Sequence, residues 1–279
     1  MLSVVITAWN EEKDIARALS SVKKLADEIV VVVDEATTDR TAQVAKKLGA
    51  KVFSHPHAGI VEPMRNFSIS KATGDWILLL DADEEISASL AKKIKELIKD
   101  PSADYYRLPR KNIIFDKWIT SDHWWPDYVY RLFRRGAVTW EDTVHSIPVT
   151  YGQGRDLPAQ EELSLVHHNY STVSEYLEQI DRYTKVSLPA TFAPSDLVIK
   201  PIGEFLSQYF ARRGYTQGLH GLALAGLQMF SEFVRYLKAW QSRDFVQTEF
   251  GSQDLTAQLK NKAREYRWWK SPPWLRPWL

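Results

Sequence analysis

Four short apolar runs divide the first 80 residues: Leu2 to Thr7 (LSVVIT), Glu28 to Val33 (EIVVVV), Lys51 to Ser54 and Trp76 to Leu80 (WILLL). Uninterrupted apolar runs of this length predict strands buried on both faces of a sheet. Between them the polar positions fall at helical spacing. Asn10-Glu11-Glu12 is read as opening a helix with Ile15, Ala18, Leu19 and Val22 on its apolar face, Thr38 to Leu48 is a second helix stopped at Gly49, and Pro63 to Lys71 is a third. Strands alternating with helices predict a parallel sheet with right-handed crossovers. After a helix at Ser87 to Lys99 the rhythm changes. Asp104 to Asn112 and Tyr128 to Arg134 read as strands rich in aromatics, Ser174 to Leu188 as a helix, and Pro189, Pro194 and Pro201 as a linker. Ile202 to Tyr209 and Leu219 to Trp240 follow as helices, and the tail from Tyr266, YRWWKSPPWLRPWL, is expected not to continue one.

The stretch Gly74 to Glu85, GDWILLLDADEE, carries the most chemistry. Its strand stops at Asp81, Asp83, Glu84 and Glu85, at the edge where open α/β sheets bind ligands. Two carboxylates one residue apart there suit a hard divalent cation bridging a diphosphate, although a solvated acidic turn before a helix has the same pattern. Asp34 ends the second strand, where an acid can accept from a base N–H or a ribose hydroxyl, or cap the next helix. Arg65 and Asn66 could reach the base or the phosphates from the helix before the fourth strand, or lie on its solvated face. Arg131, Arg134 and Arg135 alternate with apolar residues, so that some point at donor phosphates or all lie on the solvated face of an edge strand. There is no G-x-G-x-x-G after the first strand and no G-x-x-x-x-G-K-[ST], which argues against a dinucleotide dehydrogenase and a P-loop enzyme.

Composition narrows this little. With 279 residues the chain can bury a sizeable core, and a net charge of +1 does not mark nucleic acid as a partner. The absence of cysteine excludes disulfides and thiolate metal sites. No charged n-region precedes an apolar segment, so the expected location is cytoplasmic. Eleven Trp residues concentrate after residue 117, and a flat apolar ring with one polar edge suits sugars and membrane interfaces alike.

Three blocks in order, SVVITAWNEEKDIARALSSV, VVVDEATTDRTAQVAKKLGAKV and RNFSISKATGDWILLLDADEEIS, resemble the GT-A nucleotide-sugar domain of family 2 glycosyltransferases. PDYVYRLFRRG, the Val144-His145 pair, HHNYSTVSEYLEQIDRYT and the later KPIGEFLSQYFARRGYTQGLHGLALAGLQMFSEFVRYLKAW are similar to its lipopolysaccharide-core glucosyltransferase-like branch. The resemblance implies a GT-A, Rossmann-like, mostly parallel sheet flanked by helices, with a helical C-terminal extension. It implies an inverting hexosyltransferase that uses a nucleotide sugar, UDP-linked by expectation, Mg or Mn, and a saccharide or lipid-linked acceptor. Asp34 would contact the base, Asp81 the ribose and metal shell, and Asp83 the cation, with Thr7, Asn10, Glu11, Arg65, Asn66 and Arg131 completing the donor site. Trp140-Glu141-Asp142 is similar to the Glu-Asp motif whose second acid deprotonates the acceptor, which makes Asp142 the base and Glu141 its reserve. His145 is a candidate metal ligand, Asp122 and Asp127 are further acids, and Trp124 and Trp125 are candidates to stack on an acceptor sugar. The chain departs from the branch at Ser146, where a Glu is usual.

The expected organisation is a nucleotide-sugar part at 1–110, an acceptor and catalytic part at 111–190, and a helical extension at 191–279. The uncharged span from Gly214 to Ser231 is short for a membrane crossing, which leaves an interfacial helix at the inner face of the cell membrane or a packing or oligomer face. Two rival readings remain: a polyprenyl-phosphate glycosyltransferase, and a non-catalytic nucleotide-sugar-binding or scaffold subunit.

Overall fold

The computed structural model describes residues 1–57, 62–141, 147–186, 188–247 and 251–271. Two compact units divide it, one formed by Met1–Ile114 with Trp125–Asn169 and the other by Phe115–Trp124 with Tyr170–Leu279.

The first unit begins with β1 (Leu2–Ala8), α1 (Ile15–Val22), β2 (Glu28–Asp34), α2 (Thr41–Lys47), β3 (Lys51–His55), α3 (Glu62–Ser70) and β4 (Trp76–Asp81). Every residue of β1 is buried, as an apolar run between two neighbouring strands requires. β1 pairs in parallel with β2 on one side and β4 on the other, so the strand order reverses at β1. The apolar face of α1 is the expected Ile15, Ala18, Leu19 and Val22, but the helix starts at Ile15 and not at Asn10. Asn10 takes a left-handed φ of 57°, and the Glu11 and Glu12 N–H groups donate to Thr41 Oγ1 (2.8 Å), at the start of α2, and to Asp39 Oδ2 (2.9 Å) just before it. These tertiary partners replace the first helical turn.

At the opposite edge of the sheet, Glu28 ties the strands together. It accepts from Ser3, Lys51 and the Thr73 N–H, the last two at 2.7 Å. Ser3 Oγ in turn accepts from the Gly74 N–H at 2.8 Å, and a Cβ on Gly74 would lie 2.7 Å from the Ser3 nitrogen, so only glycine allows this approach.

β5 (Glu84–Ile86) and α4 (Ala88–Lys99, capped by Ser87) precede β6 (Tyr105–Ile114), and a two-residue strand, β7 (Lys117–Trp118), follows. Then come β8 (Asp127–Arg134), β9 (Val138–Thr139), β10 (Val149–Thr150), β11 (Gly154–Asp156) and β12 (Leu165–Tyr170). The sheet order is β3-β2-β1-β4-β8-β6-β12-β5. It is parallel through β4 and antiparallel where β8 joins β4 and β6. Glu84 to Ile86, read from sequence as part of an acidic turn, is thus the strand at the far edge. Only two residues separate it from β4 at the centre, a reach of about 11 Å, so the sheet curls back on itself. Its core faces α1, α2 and α4 on one side and α3 on the other.

The second unit is helical: α5 (Val173–Val186), α6 (Asp196–Leu206), α7 (Leu219–Gln241) and α8 (Ser252–Lys270). The segment at 115–124 belongs to it through Lys117 Nζ on the Gln217 carbonyl (2.8 Å) and an Arg213–Asp122 ion pair (2.6 Å). Two expectations fail here. Pro201 lies inside α6 rather than in a linker, where it gives up one helical N–H, and Tyr266 to Lys270 continue α8, so the tail turns non-helical no earlier than Ser271. Among the described residues no helix is long and apolar enough to cross a membrane.

Candidate functional site

The ends of β1, β2 and β4 converge at the C-terminal edge of the sheet. Thr7 lies in register with Val32 and Asp81, and Asp34 with His55. Asp34 is 3% exposed, and its Oδ1 accepts from the Ala36 N–H at 2.8 Å. His57 Nδ1 stands 2.9 Å from both Asp34 oxygens, and the His57 ring lies 5.0 Å from that of Trp9. Neither Trp9 nor His57 is singled out by the sequence pattern, although an aromatic just past the first strand was visible in TAWN. Thr7 is buried with no hydrogen-bond partner for its Oγ1. Asn10 uses its Oδ1 to accept from the Thr38 N–H at 2.8 Å, joining the loops after β1 and β2, and Glu11 is half-buried beside it.

The acids after β4 enter a buried polar ring. Arg131, 2% exposed on the central strand β8, places one guanidinium nitrogen on both Asp81 Oδ2 and Glu84 Oε1, the latter at 2.7 Å. Arg65 reaches Asp81 Oδ1 at 3.3 Å. Glu84, fully buried, also accepts from the Asp81 N–H at 3.0 Å and lies 3.6 Å from Arg110, which pairs with Asp127 at 2.6 Å. Burial opposes ionisation of Asp81, but Arg131, Arg65 and Arg110 outweigh it and hold this carboxyl well below the usual carboxylate range. Burial pushes Glu84 up, and the Asp81 charge adds to that push. Burial likewise disfavours charge on Arg131, yet its two carboxylate partners raise its pKa. Arg131 is therefore a clamp on acids, in neither of the positions that the alternation along YRLFRR suggested.

Asp83 stands differently. Its Oδ1 is buried without a hydrogen-bond partner, and its Oδ2 lies 3.2 Å from His167 Nε2. The antiparallel register of β12 with β5 sets His167 opposite Glu84, one residue from Asp83. On its far side His167 Nδ1 is 2.6 Å from Asn112 Oδ1, while Asn112 Nδ2 donates to Asp127 Oδ2 at 3.1 Å. The carboxylate of Asp127 fixes the amide orientation, so Asn112 presents its oxygen to His167 and Nδ1 carries the proton. With Nδ1 protonated, His167 turns its Nε2 towards the Asp83 carboxylate. That arrangement is favourable only with a proton or a cation between them, and the orphaned Asp83 Oδ1 beside it points to the same need. The residues present therefore fit a bound cation with two donors. Among the described residues no group of three or more His, Cys, Asp or Glu side chains is arranged to hold a metal, so the remaining ligands would come from outside that set.

Asn66 is not directed at a ligand. Its amide makes two hydrogen bonds to the main chain of Trp140, while neighbouring Arg65 lies over the Trp140 ring at 5.5 Å. Glu141 follows, exposed, and Asp142, His145 and Ser146 lie outside the described residues. Trp124 and Trp125 are half-buried, and Trp124 belongs to the second unit.

Three comparisons bear on this arrangement. The profile described as glycosyl transferase family 2 matches residues 3–155, more than half of the chain. An uncharacterized glycosyltransferase of Rickettsia typhi is 29% identical over 252 residues, covering 85% of this chain and 86% of its own. Among solved structures, Staphylococcus aureus TarS 1-349 in complex with UDP is 15% identical with a TM-score of 0.44, over 90% of this chain and 93% of the other. Glucosyl-3-phosphoglycerate synthase of Mycobacterium tuberculosis, with Mn2+, UDP and glucosyl-3-phosphoglycerate, is 22% identical with a TM-score of 0.34, over 39% and 44%.

Proposed function

Because the chain belongs to glycosyl transferase family 2, we propose that it is an inverting, metal-dependent transferase that moves a hexose from a UDP-sugar to a saccharide or lipid-linked acceptor in cell-envelope glycan synthesis, in the lipopolysaccharide-core branch. The observation that carries the donor site is the Asp83 carboxylate, with one orphaned oxygen and the other facing His167 Nε2, at the C-terminal edge of the sheet. Asp83 and His167 would hold Mn or Mg, with His167 in the place given to His145, and the imidazole favours the transition metal. When bound, the ion offsets charge on the departing nucleoside diphosphate.

This chain's residues account for the rest. Asp34 accepts the imide N–H of uracil at the oxygens that His57 now faces. Asp81, kept ionised by Arg131 and Arg65, accepts from the ribose. Asp142, with Glu141 in reserve, removes the proton of the acceptor hydroxyl, which attacks the anomeric carbon from the face opposite the leaving group and inverts it.

A polyprenyl-phosphate acceptor is the second reading. Ile147, Val149 and Tyr151 are exposed at alternate positions just after residues 142–146, an apolar row that suits a lipid carrier.

Calorimetric titration of UDP-, GDP- and dTDP-glucose, each with and without Mn, into wild type and Asp83→Ala tests the proposal. Metal-dependent binding of the UDP-sugar, lost in the variant, is expected. Binding indifferent to metal and to Asp83 would overturn the donor-site assignment, and binding of no sugar nucleotide would favour a scaffold subunit.

A further inference from the structure

Asn66 lies on α3 and joins to a residue 74 positions away. Its Nδ2–H donates to the Trp140 carbonyl at 2.6 Å, and the Trp140 N–H donates to its Oδ1 at 3.0 Å. A side-chain amide is thus acting as one rung of a β-ladder. The strand cannot supply that rung itself, because β9 ends at Thr139, whose partner in β10 is Val149. Trp140 is otherwise held by its ring, 6% exposed, 5.9 Å from the Phe133 ring and under the Arg65 guanidinium. Arg65 also bonds Asp81. Consecutive residues of one helix therefore touch both walls of the site: Arg65 the end of β4, and Asn66 the main chain from which Glu141 departs.

We propose that Asn66 is a positioning residue for transfer: it fixes the main chain at Trp140, so that Glu141 leaves it from a set point relative to the donor edge. The role rests on the transferase reading above and deepens it. A side-chain amide is required, since an isosteric carboxylate would oppose an oxygen to the Trp140 carbonyl, and a methyl would leave both main-chain groups unpaired.

The test uses the full chain with Asn66→Ala and Asn66→Asp, two readouts and a fold control. Hydrogen exchange at the Trp140 amide is expected to quicken about tenfold or more in Asn66→Ala, and unchanged exchange would overturn the clasp whatever the activity. For turnover, kcat is expected to fall about 10- to 100-fold in both variants, with UDP affinity unchanged and the thermal midpoint lowered by no more than the lost main-chain hydrogen bonds imply, both variants remaining folded at the assay temperature. Unchanged kcat, or kcat and UDP affinity lost in parallel, would overturn the positioning role. Absent turnover in the wild type would instead overturn the transferase reading and this role with it, and the exchange data would still report on the clasp.

Discussion

His167 Nε2 stands 3.2 Å from Asp83 Oδ2, and its opposite nitrogen is committed to Asn112. Imidazole and carboxylate thus share a site that neither can satisfy alone. The first prediction follows: His167→Ala weakens Mn binding about 10- to 100-fold, read by titration of the ion alone. Asn112→Leu does the same more weakly, because it frees the tautomer. Equal affinity in wild type and His167→Ala would show that the pair is a proton-bridged structural contact.

Arg131 is surrounded by carboxylates and almost sealed from water. Removing one member of such a set strands the others, so Arg131→Met should cost about 3–5 kcal/mol of unfolding free energy in urea. Adding Glu84→Gln to that variant should recover part of the loss, since one uncompensated charge goes with it. A loss below about 1 kcal/mol would mean that the clamp is relaxed in solution.

Asp34 and His57 separate base recognition from its competitor. Asp34→Ala should weaken UDP binding by about 1.5–3 kcal/mol, the range for a hydrogen bond to a charged group. His57→Ala should tighten it, because the carboxylate no longer has a resident partner. Weaker binding in His57→Ala would make the imidazole part of the base pocket.

Glu28 gives a pH signature. Burial alone would raise its pKa, but Lys51, Ser3 and Thr73 bring it down to about 2, well below the usual carboxylate range. A carboxyl depressed in the folded state stabilises fully above its unfolded pKa and loses that contribution as pH falls through the folded one. Stability should therefore decline from about pH 4.5 towards pH 2 by on the order of 3 kcal/mol. Glu28→Gln should flatten that part of the profile.

What was legible in the sequence is what burial writes into it. Strands enclosed on both faces appear as apolar runs, α1 shows its inward face at Ile15, Ala18, Leu19 and Val22, and the acids of GDWILLLDADEE mark a strand end. The rest depended on partners distant in the chain. Asn10 fails to start a helix because its neighbours bond to Thr41 and Asp39. Glu84 joins a strand only because β12 arrives beside it. Nothing in the three residues of β5, nor in the doublet His167-His168, indicates that His167 pairs with Glu84, 83 positions away. In the sequence Arg131 reads as facing either donor phosphates or solvent, because an alternating strand looks the same whether its polar face meets a ligand, water or buried acids.

The curl that brings the edge strand β5 within two residues of β4 also sets an order of events in time. The acid of the Asp81-Ala82-Asp83 turn leaves the ribosome long before the histidine that faces it. The Asp83–His167 pair proposed to hold the cation does not exist until β12 has been made and has docked antiparallel on β5. Contacts of this sequence separation close late and slowly. The nascent sheet therefore passes through a stage in which the edge strand β5 is open, and on the proposed function metal affinity and donor competence arrive only with the last strand of the sheet.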